Sequence, residues 1–471
     1  MGLHVPPIIA AVVYVVGIVG LFWLDRGHQA QITKALWIPT VGLAITCSRP
    51  VSMWLGMTQN RLAATAYVEG SPIDAAVLAL LLAAALAVVI ARPDRVGPII
   101  LANWPIPLFF LFAASSILWS DFPFVTFKHW IKGIGDVLMV LVLLTEPSVT
   151  DAIKRLVTRL GFVLLPLSVL FCKYYPEIGR GRTNGTSVQW RGVTEGKNVL
   201  GGVCMVLGIG LLWRFRSTYH DREDPHRRGK LLALGTVLAM TLWLLWKSNS
   251  MTSICVLAIA GAVMLLSVRP AFRRNPFLVH LLVLVMVAGA VYALFIQSTL
   301  LETLGRDPTV TGRMEIWKVT LSLPVSRLVG AGYESFWLGP RLQQIWAHFP
   351  DIHISEAHNG YVEMFLNLGW IGVSLLAAIM ILGYRAASAS LRRDPDVGGL
   401  YLAWLLAAVI RGLTEASFRM VSSSWIFMLL AVMGASLVTV PAEADEVPNP
   451  DDLPEYQPTA EFASDSPLGL W

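Results

Sequence analysis

A chain whose apolar runs keep returning at membrane length has few folds open to it. A helix needs about 20 mostly apolar residues to cross the hydrocarbon layer. Runs of that kind lie at 8–24, 35–55, 73–91, 100–119, 134–147, 156–172, 198–213, 231–248, 251–268, 277–297, 360–383, 397–412 and 420–440. Composition agrees, since 55% of the 471 residues are hydrophobic and 14% charged, against about a quarter charged in soluble proteins. The expected fold is therefore all-α, a polytopic membrane bundle of about 12–13 transmembrane helices. The first run, after Pro6 and Pro7, lacks the basic leader and cleavage site of a signal peptide and reads as a retained span. Cys47, Cys172, Cys204 and Cys255 fall in or beside apolar runs, with no CxxC spacing and no nearby His. They read as small core residues rather than as a disulfide framework or a zinc site.

Loop charge orients the spans, because Lys and Arg gather on the cytoplasmic side. Residues 214–230, the loop around Arg269, Arg273 and Arg274, and the loop with Arg385, Arg392 and Arg393 are basic and separated by pairs of spans. All three can lie inside together, which puts 173–197 and 298–359 outside; thirteen spans put the amino terminus outside too. The chain divides into N-terminal spans (1–172), a first outer basic loop (173–197), central spans (198–297), a long outer loop (298–359), C-terminal spans (360–441) and an acidic tail (442–471). Eight of the 31 Asp/Glu lie in that tail, which holds no Lys or Arg and should stay disordered; the rest of the chain sets 36 Lys/Arg against 23 Asp/Glu. Positive-inside bias accounts for part of this excess, and no nucleic-acid partner is needed.

The two outer segments concentrate the unusual chemistry. Residues 173–198, KYYPEIGRGRTNGTSVQWRGVTEGKN, carry Lys173, Arg180, Arg182, Arg191 and Lys197 on the side where basic residues are rare. Arginine forks suit phosphate oxygens, and glycines let backbone N–H groups approach the same anion; contact with anionic headgroups is the alternative. The 62 residues from Ser298 to Asn359 are too rich in Trp and Phe for a linker and should fold back as a helical cap. Within them GRDPTVTGRMEIW holds Arg306 and Arg313, with Pro308 breaking any helix between the two. Arg313 sits near the start of a helix capped by Thr311, where free N–H groups favour anions. EAHNGYVEMFLNLGW then places His358 at the mouth of a span, as the one histidine set beside both basic segments.

Several charges lie inside apolar runs: Asp136, Lys247, Glu363, Arg411 and Glu415. Asp136 and Lys247 read as internal structural charges. Arg411 and Glu415, spaced i, i+4 at an outer end, fit a structural or an active-site role equally. Asp394-Pro-Asp396 matches a DxD metal motif but lies in a short inner turn without an α/β domain. P-loop, HExxH and GxSxG motifs are absent from the sequence.

The series SRPVSMW, LWSDFP, KYYPEIGR, GVTEGKNVLGG, GRDPTVTGRMEIW, GAGYESFWLG, AHNGYVEMFLNLGWIG and TEASF resembles the bacterial O-antigen ligase and exopolysaccharide polymerase family, its polymerase branch most of all. The resemblance implies a GT-C-like, metal-independent, inverting glycosyltransferase of the inner membrane, acting at the periplasmic face without a cofactor. Its donor would be a glycan on polyprenyl (undecaprenyl) diphosphate and its acceptor a glycan or lipid-linked hydroxyl. Membrane lipids are the surroundings, and a chain-length regulator protein has a place as a further partner. The implied catalytic residues are His358, as general base or as orienter of the acceptor, with Arg191 and Arg313 neutralising the leaving diphosphate. Arg180, Arg182, Lys197, Asn198, Arg306, Tyr333, Asn359 and Glu415 are the candidate substrate contacts, with no metal ligand. Glu195 and Gly196 stand where the family pattern has Thr or Asn. Trp190, Trp317 and Trp337 could stack on sugars or anchor at the interface. Ligation onto a lipid-A core or a protein, and transport of lipid-linked sugar, are the competing readings.

Overall fold

The computed structural model describes residues 6–27, 31–57, 70–183, 187–303, 309–350 and 354–439. Helices α1 (Pro7–Leu24), α2 (Trp37–Thr46), α3 (Pro72–Ile90), α4 (Pro93–Ala102), α5 (Pro105–Ser115), α6 (Pro123–Leu144) and α7 (Val149–Tyr174) lead to a two-stranded hairpin. Its strands, β1 (Arg180–Thr183) and β2 (Ser187–Trp190), are antiparallel, with Arg180 opposite Trp190. Then follow α8 (Lys197–His220), α9 (Arg227–Ser248), α10 (Met251–Ser267), α11 (Pro276–Thr303), α12 (Thr309–Ser322), α13 (Gly339–His348), α14 (Gly360–Arg393), α15 (Pro395–Gly412) and α16 (Ser423–Thr439). The protein is an all-α, multi-pass membrane bundle. Among the described residues six helices are long and apolar enough to span by themselves, or seven with the bent pair α4–α5, and four shorter apolar helices accompany them. The expected acidic tail, 442–471, and Arg306 lie outside the described residues.

Three expected spans in the N-terminal half change shape. The run 35–55 is not one helix. After a single 3-10 turn, α2 covers ten residues, about 15 Å of rise. It stops before Pro50, where Arg49 turns inward to donate to the carbonyls of Ile178, Gly192 and Thr194. The run 100–119 is bent by 84° between α4 and α5. By contrast α6 starts at Pro123, eleven residues before its apolar stretch, because its polar groups have partners: His129 faces the Glu334 carbonyl at 3.1 Å and Asp136 accepts from Val421 N at 2.8 Å.

The long loop also departs from a simple cap. Helices α12 and α13 do form a small satellite core with Ile316, Phe336, Trp337, Leu342, Ile345 and Ile354. But residues 330–338 are all buried, and they tie the loop to the bundle: Tyr333 N donates to Ser116 Oγ and Ser335 Oγ lies 3.0 Å from Ser120 Oγ. The insertion is possible because α14 is broken. Gly369 has φ +62°, and the carbonyls of Leu366 and Asn367 accept from Ala331 N and Gly332 N at 3.0 and 2.9 Å. Trp370 N and Ile371 N return the pairing to Arg327 O and Leu328 O. A loop thus replaces the hydrogen bonds a helix break would strand in hydrocarbon.

Cys47, Cys172 and Cys204 are buried as expected, whereas Cys255 is exposed on α10. Helix α8 fixes the two ends of the bundle. Its 24 residues rise about 36 Å, from Asn198 bonded to Glu415 at one end to Arg216 paired with Asp396 at the other. The hairpin and His358 belong to the first end, and the basic loops to the second.

Candidate active site

Five segments that are far apart in sequence converge at the first end. Helix α15 stops at Gly412, and the loop beyond it carries Glu415 and Arg419. Glu415 N still donates to Arg411 O at 3.0 Å, but its carboxylate turns away to other segments. Glu415 Oε1 accepts from Asn198 Nδ2 at 3.0 Å and faces Arg313 Nη2 at 3.5 Å. Its Oε2 lies 3.8 Å from His358 Nδ1. That nitrogen is 2.9 Å from Glu356 Oε1, and Glu356 Oε2 meets Arg419 Nη1 at 3.5 Å. Arg419 Nε closes the chain on Glu334 Oε2 at 3.0 Å. Arg411 braces the cluster from beneath, donating to Asn198 O and Ser253 Oγ. Its guanidinium fits only because residue 202 is glycine: a Cβ there would come within 2.8 Å of it.

His358 is held in an unusual backbone state. Its φ is +49°, and Glu334 and Val421, beside the same network, are at +53° and +54°. Left-handed conformations of non-glycine residues cost about 1–3 kcal/mol each and persist where the surroundings over-determine them. Here they do. Trp317 Nε1 donates to Ala357 O, Ala357 N donates to Glu363 Oε2, and Trp337 Nε1 donates to Glu363 Oε1. Asn359 caps α14 through Tyr361 N and Val362 N and ties back to Leu413 O. Glu363, an expected intramembrane charge, is thus a strut that positions the histidine loop.

The electrostatics decide the state of the imidazole. Burial works against its charged form, but the Glu356 and Glu415 carboxylates outweigh burial and push the His358 pKa up to about 10. Burial likewise works against the Glu356 carboxylate, yet the neighbouring His358 and then Arg419 bring it down to about 2. At neutral pH the pair is imidazolium and carboxylate. Nδ1 is shut off from solvent and meets Glu356 at ion-pair distance without a well-angled hydrogen bond. The side chain as a whole stays one-third exposed. Glu356, His358 and Glu415 also bring one ligand atom each within 4.8 Å, a spacing a divalent cation could use. Arg313 and Arg419 already lie on those carboxylates.

The other expected site residues separate into groups. Arg313, His358, Asn198 and Glu415 come together as described; Asn359 serves them as a cap. Helix α12 begins at Thr309, so Arg313 stands one turn inside it and Thr311 is not its cap. Arg191 lies at the end of β2 and gives Nε and Nη2 to the carbonyls of Ile178 and Glu177, outside the Glu415 cluster. Arg180 stacks on Trp190 at 4.3 Å and donates to Cys172 O. Arg182 pairs with Val188 in the hairpin, its side chain outside the described residues. Lys197 is the first residue of α8. Tyr333 is buried against Phe109 in the bundle. Trp337 is buried and Trp317 half-buried, both bonded within the scaffold, so neither is free to stack on a sugar in this state. Asp394 caps α15 through Asp396 N and Val397 N, which explains the DxD pattern without a metal. Sequence reasoning missed Glu356, Arg419 and Glu334. The two glutamates at ESF and EAH carried no signal beyond lying in motif stretches.

The fold and this rim define a class: a multi-pass membrane protein with a cluster of cations and carboxylates at one end of the bundle. Residues 226–377, which include Arg313 and His358, match the family model described as O-antigen ligase. The chain is also similar to the exopolysaccharide production protein ExoQ of Rhizobium meliloti (strain 1021), at 25% identity over 304 residues, 61% of this chain and 66% of that protein. It thus covers just under two thirds of that relative's length. These matches bear out the resemblance read from the motifs: residues 226–377 are similar to the O-antigen ligases, and the chain is similar to an exopolysaccharide production protein.

Proposed function

We propose that the protein is a glycosyltransferase of the inner membrane that works at its periplasmic face. It would move a glycan from polyprenyl diphosphate to a sugar hydroxyl with inversion, as an exopolysaccharide repeat-unit polymerase. The observation that carries this reading is the meeting of Arg313, imidazolium His358 and Glu415 in one partly open rim. Outside the cytoplasm there is no nucleotide sugar, so the diphosphate linkage itself must drive the reaction and its leaving charge must be stabilised. Arg313 keeps N–H donors beyond its long contact with Glu415, and His358 adds a second cation, with no metal ion required. Preorganised donors of this kind are worth about 100- to 1000-fold in rate each.

The protonated imidazole cannot accept the acceptor proton. Of the two roles expected for His358, general base and orienter of the acceptor, its surroundings support the second, and its charge adds to it. The departing diphosphate is itself a proton acceptor as the glycosyl carbon–oxygen bond to phosphate breaks and the bond to the acceptor oxygen forms. Arg191 joins through the hairpin. Its backbone is seven residues from Asn198, at most about 25 Å of chain, and its Nη1 would serve the distal phosphate once donor is bound. Attack from the face opposite the diphosphate gives inversion.

The test is transfer by purified protein supplied with a polyprenyl-diphosphate-linked repeat unit, followed by mass analysis. Donor alone growing into longer lipid-linked chains is the expected result. Transfer only when a lipid-A core or protein acceptor is added would assign ligation instead. Vesicle uptake of intact donor without new glycosidic bonds would mark a transporter. Activity should persist in excess EDTA; loss that magnesium restores would make Glu356, His358 and Glu415 a metal site.

A further inference from the structure

At the end of the bundle opposite His358, the last turns of α14, the first turn of α11 and the turn Pro270–Arg274 enclose a cavity of about 680 Å³. Its size is that of a small-molecule site, about 300–1,000 Å³. Three guanidinium groups line it, those of Arg274, Arg385 and Arg392. Arg385 and Arg392 are seven residues apart, so they share a helical face. No carboxylate lines the cavity among the described residues, and the three arginines have no ion-pair partner among them. Other cations at this end do have acid partners: Arg214 pairs with Asp25, Arg216 with Asp396 and Lys230 with Asp224. Ser388, between the two α14 arginines, and His280, bonded to Tyr384 at 2.6 Å, complete a polar wall.

The opposite wall is apolar, with Phe272, Val279 and Leu391. It leads onto an exposed apolar strip one to two turns toward the membrane middle, with Leu284 64% and Ile381 60% exposed on the two helices that frame the cavity. An anion site that opens onto hydrocarbon has the polarity of one kind of ligand. We propose that the cavity binds the phosphate headgroup of an anionic phospholipid, with its acyl chains lying along α11 and α14. Arginine forks recognise phosphate oxygens in bidentate fashion, and basic pockets between helices at a membrane's cytoplasmic side suit anionic headgroups. The apolar strip is what favours a lipid over free phosphate. The proposal is independent of the chemistry at the His358 end.

The experiment is native mass spectrometry of the full-length detergent-purified protein titrated with phosphatidylglycerol. A parallel titration uses phosphatidylcholine, and a competition arm uses millimolar inorganic phosphate. Wild type should bind phosphatidylglycerol in preference to phosphatidylcholine, with phosphate a weak competitor. Arg274→Gln/Arg385→Gln/Arg392→Gln should bind the lipid at least tenfold more weakly at an unchanged melting temperature. Arg222→Gln/Arg228→Gln, which removes exposed charge at the same end but outside the cavity, should stay within twofold of wild type. If the triple variant melts early, Arg385→Gln and Arg392→Gln singly should each weaken binding about threefold. Equal binding of the two lipids, undiminished binding by the cavity variants, or an equal loss in the surface control would overturn the proposal. Complete displacement by phosphate would reassign the cavity to a free anion and overturn it too.

Discussion

His358 shows how far one side chain's role depends on its neighbours. Alone, an imidazole titrates near neutrality and invites a base role; between Glu356 and Glu415 its pKa rises to about 10. If the imidazolium is the working form, transfer should hold level from neutral pH to about 9 and fall as pH approaches 10. In Glu356→Gln the falling edge should move down toward 6.5, the ordinary value. An alkaline rise in activity would restore the base role. The same linkage bears on stability. A raised histidine stabilises the fold fully below pH 6.5, and that contribution is lost as pH climbs through about 10; the depressed Glu356 contributes above its ordinary 4.5 and loses this as pH falls through about 2. His358→Ala should leave a folded, inserted protein with transfer reduced about 100- to 1000-fold. Near-full activity would remove His358 from the reaction. Arg313→Lys should lose about a hundredfold, because it keeps the charge but not the fork; turnover at the wild-type rate would argue against phosphate clamping.

At the scale of the element, the broken α14 organises the site. The break at Gly369 lets 330–338 enter the bundle, and that segment brings Glu334 to Arg419 and Trp337 to Glu363. A Cβ on residue 369 would lie 2.3 Å from the Leu328 carbonyl, at a backbone angle L residues avoid. Gly369→Ala should therefore cost more than about 3 kcal/mol, read as a large fall in melting temperature or failure to purify as a single species. A variant that melts like wild type would mean the insertion tolerates an unbroken helix. The apolar runs showed that a span lies at 360–383 but not that it is interrupted, because LNLGWIG is apolar throughout and a broken helix buries the same residues as a straight one. The start of α6 was hidden for the opposite reason: Lys128, His129 and Lys132 look like loop, and partners on other segments for His129 and Asp136 support the helix.

For the whole molecule, the end-to-end arrangement carries the functional reading. The hairpin, the long loop and Glu415 gather at one end of α8, and the loops with unbalanced Arg gather at the other. In a background with Cys255 replaced by Ser, Glu177→Cys should react with a membrane-impermeant maleimide on intact cells and Arg222→Cys only after lysis. The reverse pattern would put the Arg313–His358 rim in the cytoplasm and remove the periplasmic donor from the proposal.

The amino-acid order by itself determined that this is a helical membrane protein, and it pointed to 173–197 and 298–359 as sharing a side and to Arg313 and His358 as candidate site residues. Those properties are local or additive: apolar run length, loop charge and residue type can be read one segment at a time. Only the tertiary structure decided that Glu356 and Glu415 set the charge on His358 while Arg419 pairs with Glu356, that Arg180 and Tyr333 serve the scaffold, and that Arg191 meets carbonyls outside the cluster. Ion pairs across hundreds of residues and hydrogen bonds replacing a broken helix exist only once the segments are packed. No spacing rule along the chain encodes which carboxylate will face an imidazole in three dimensions.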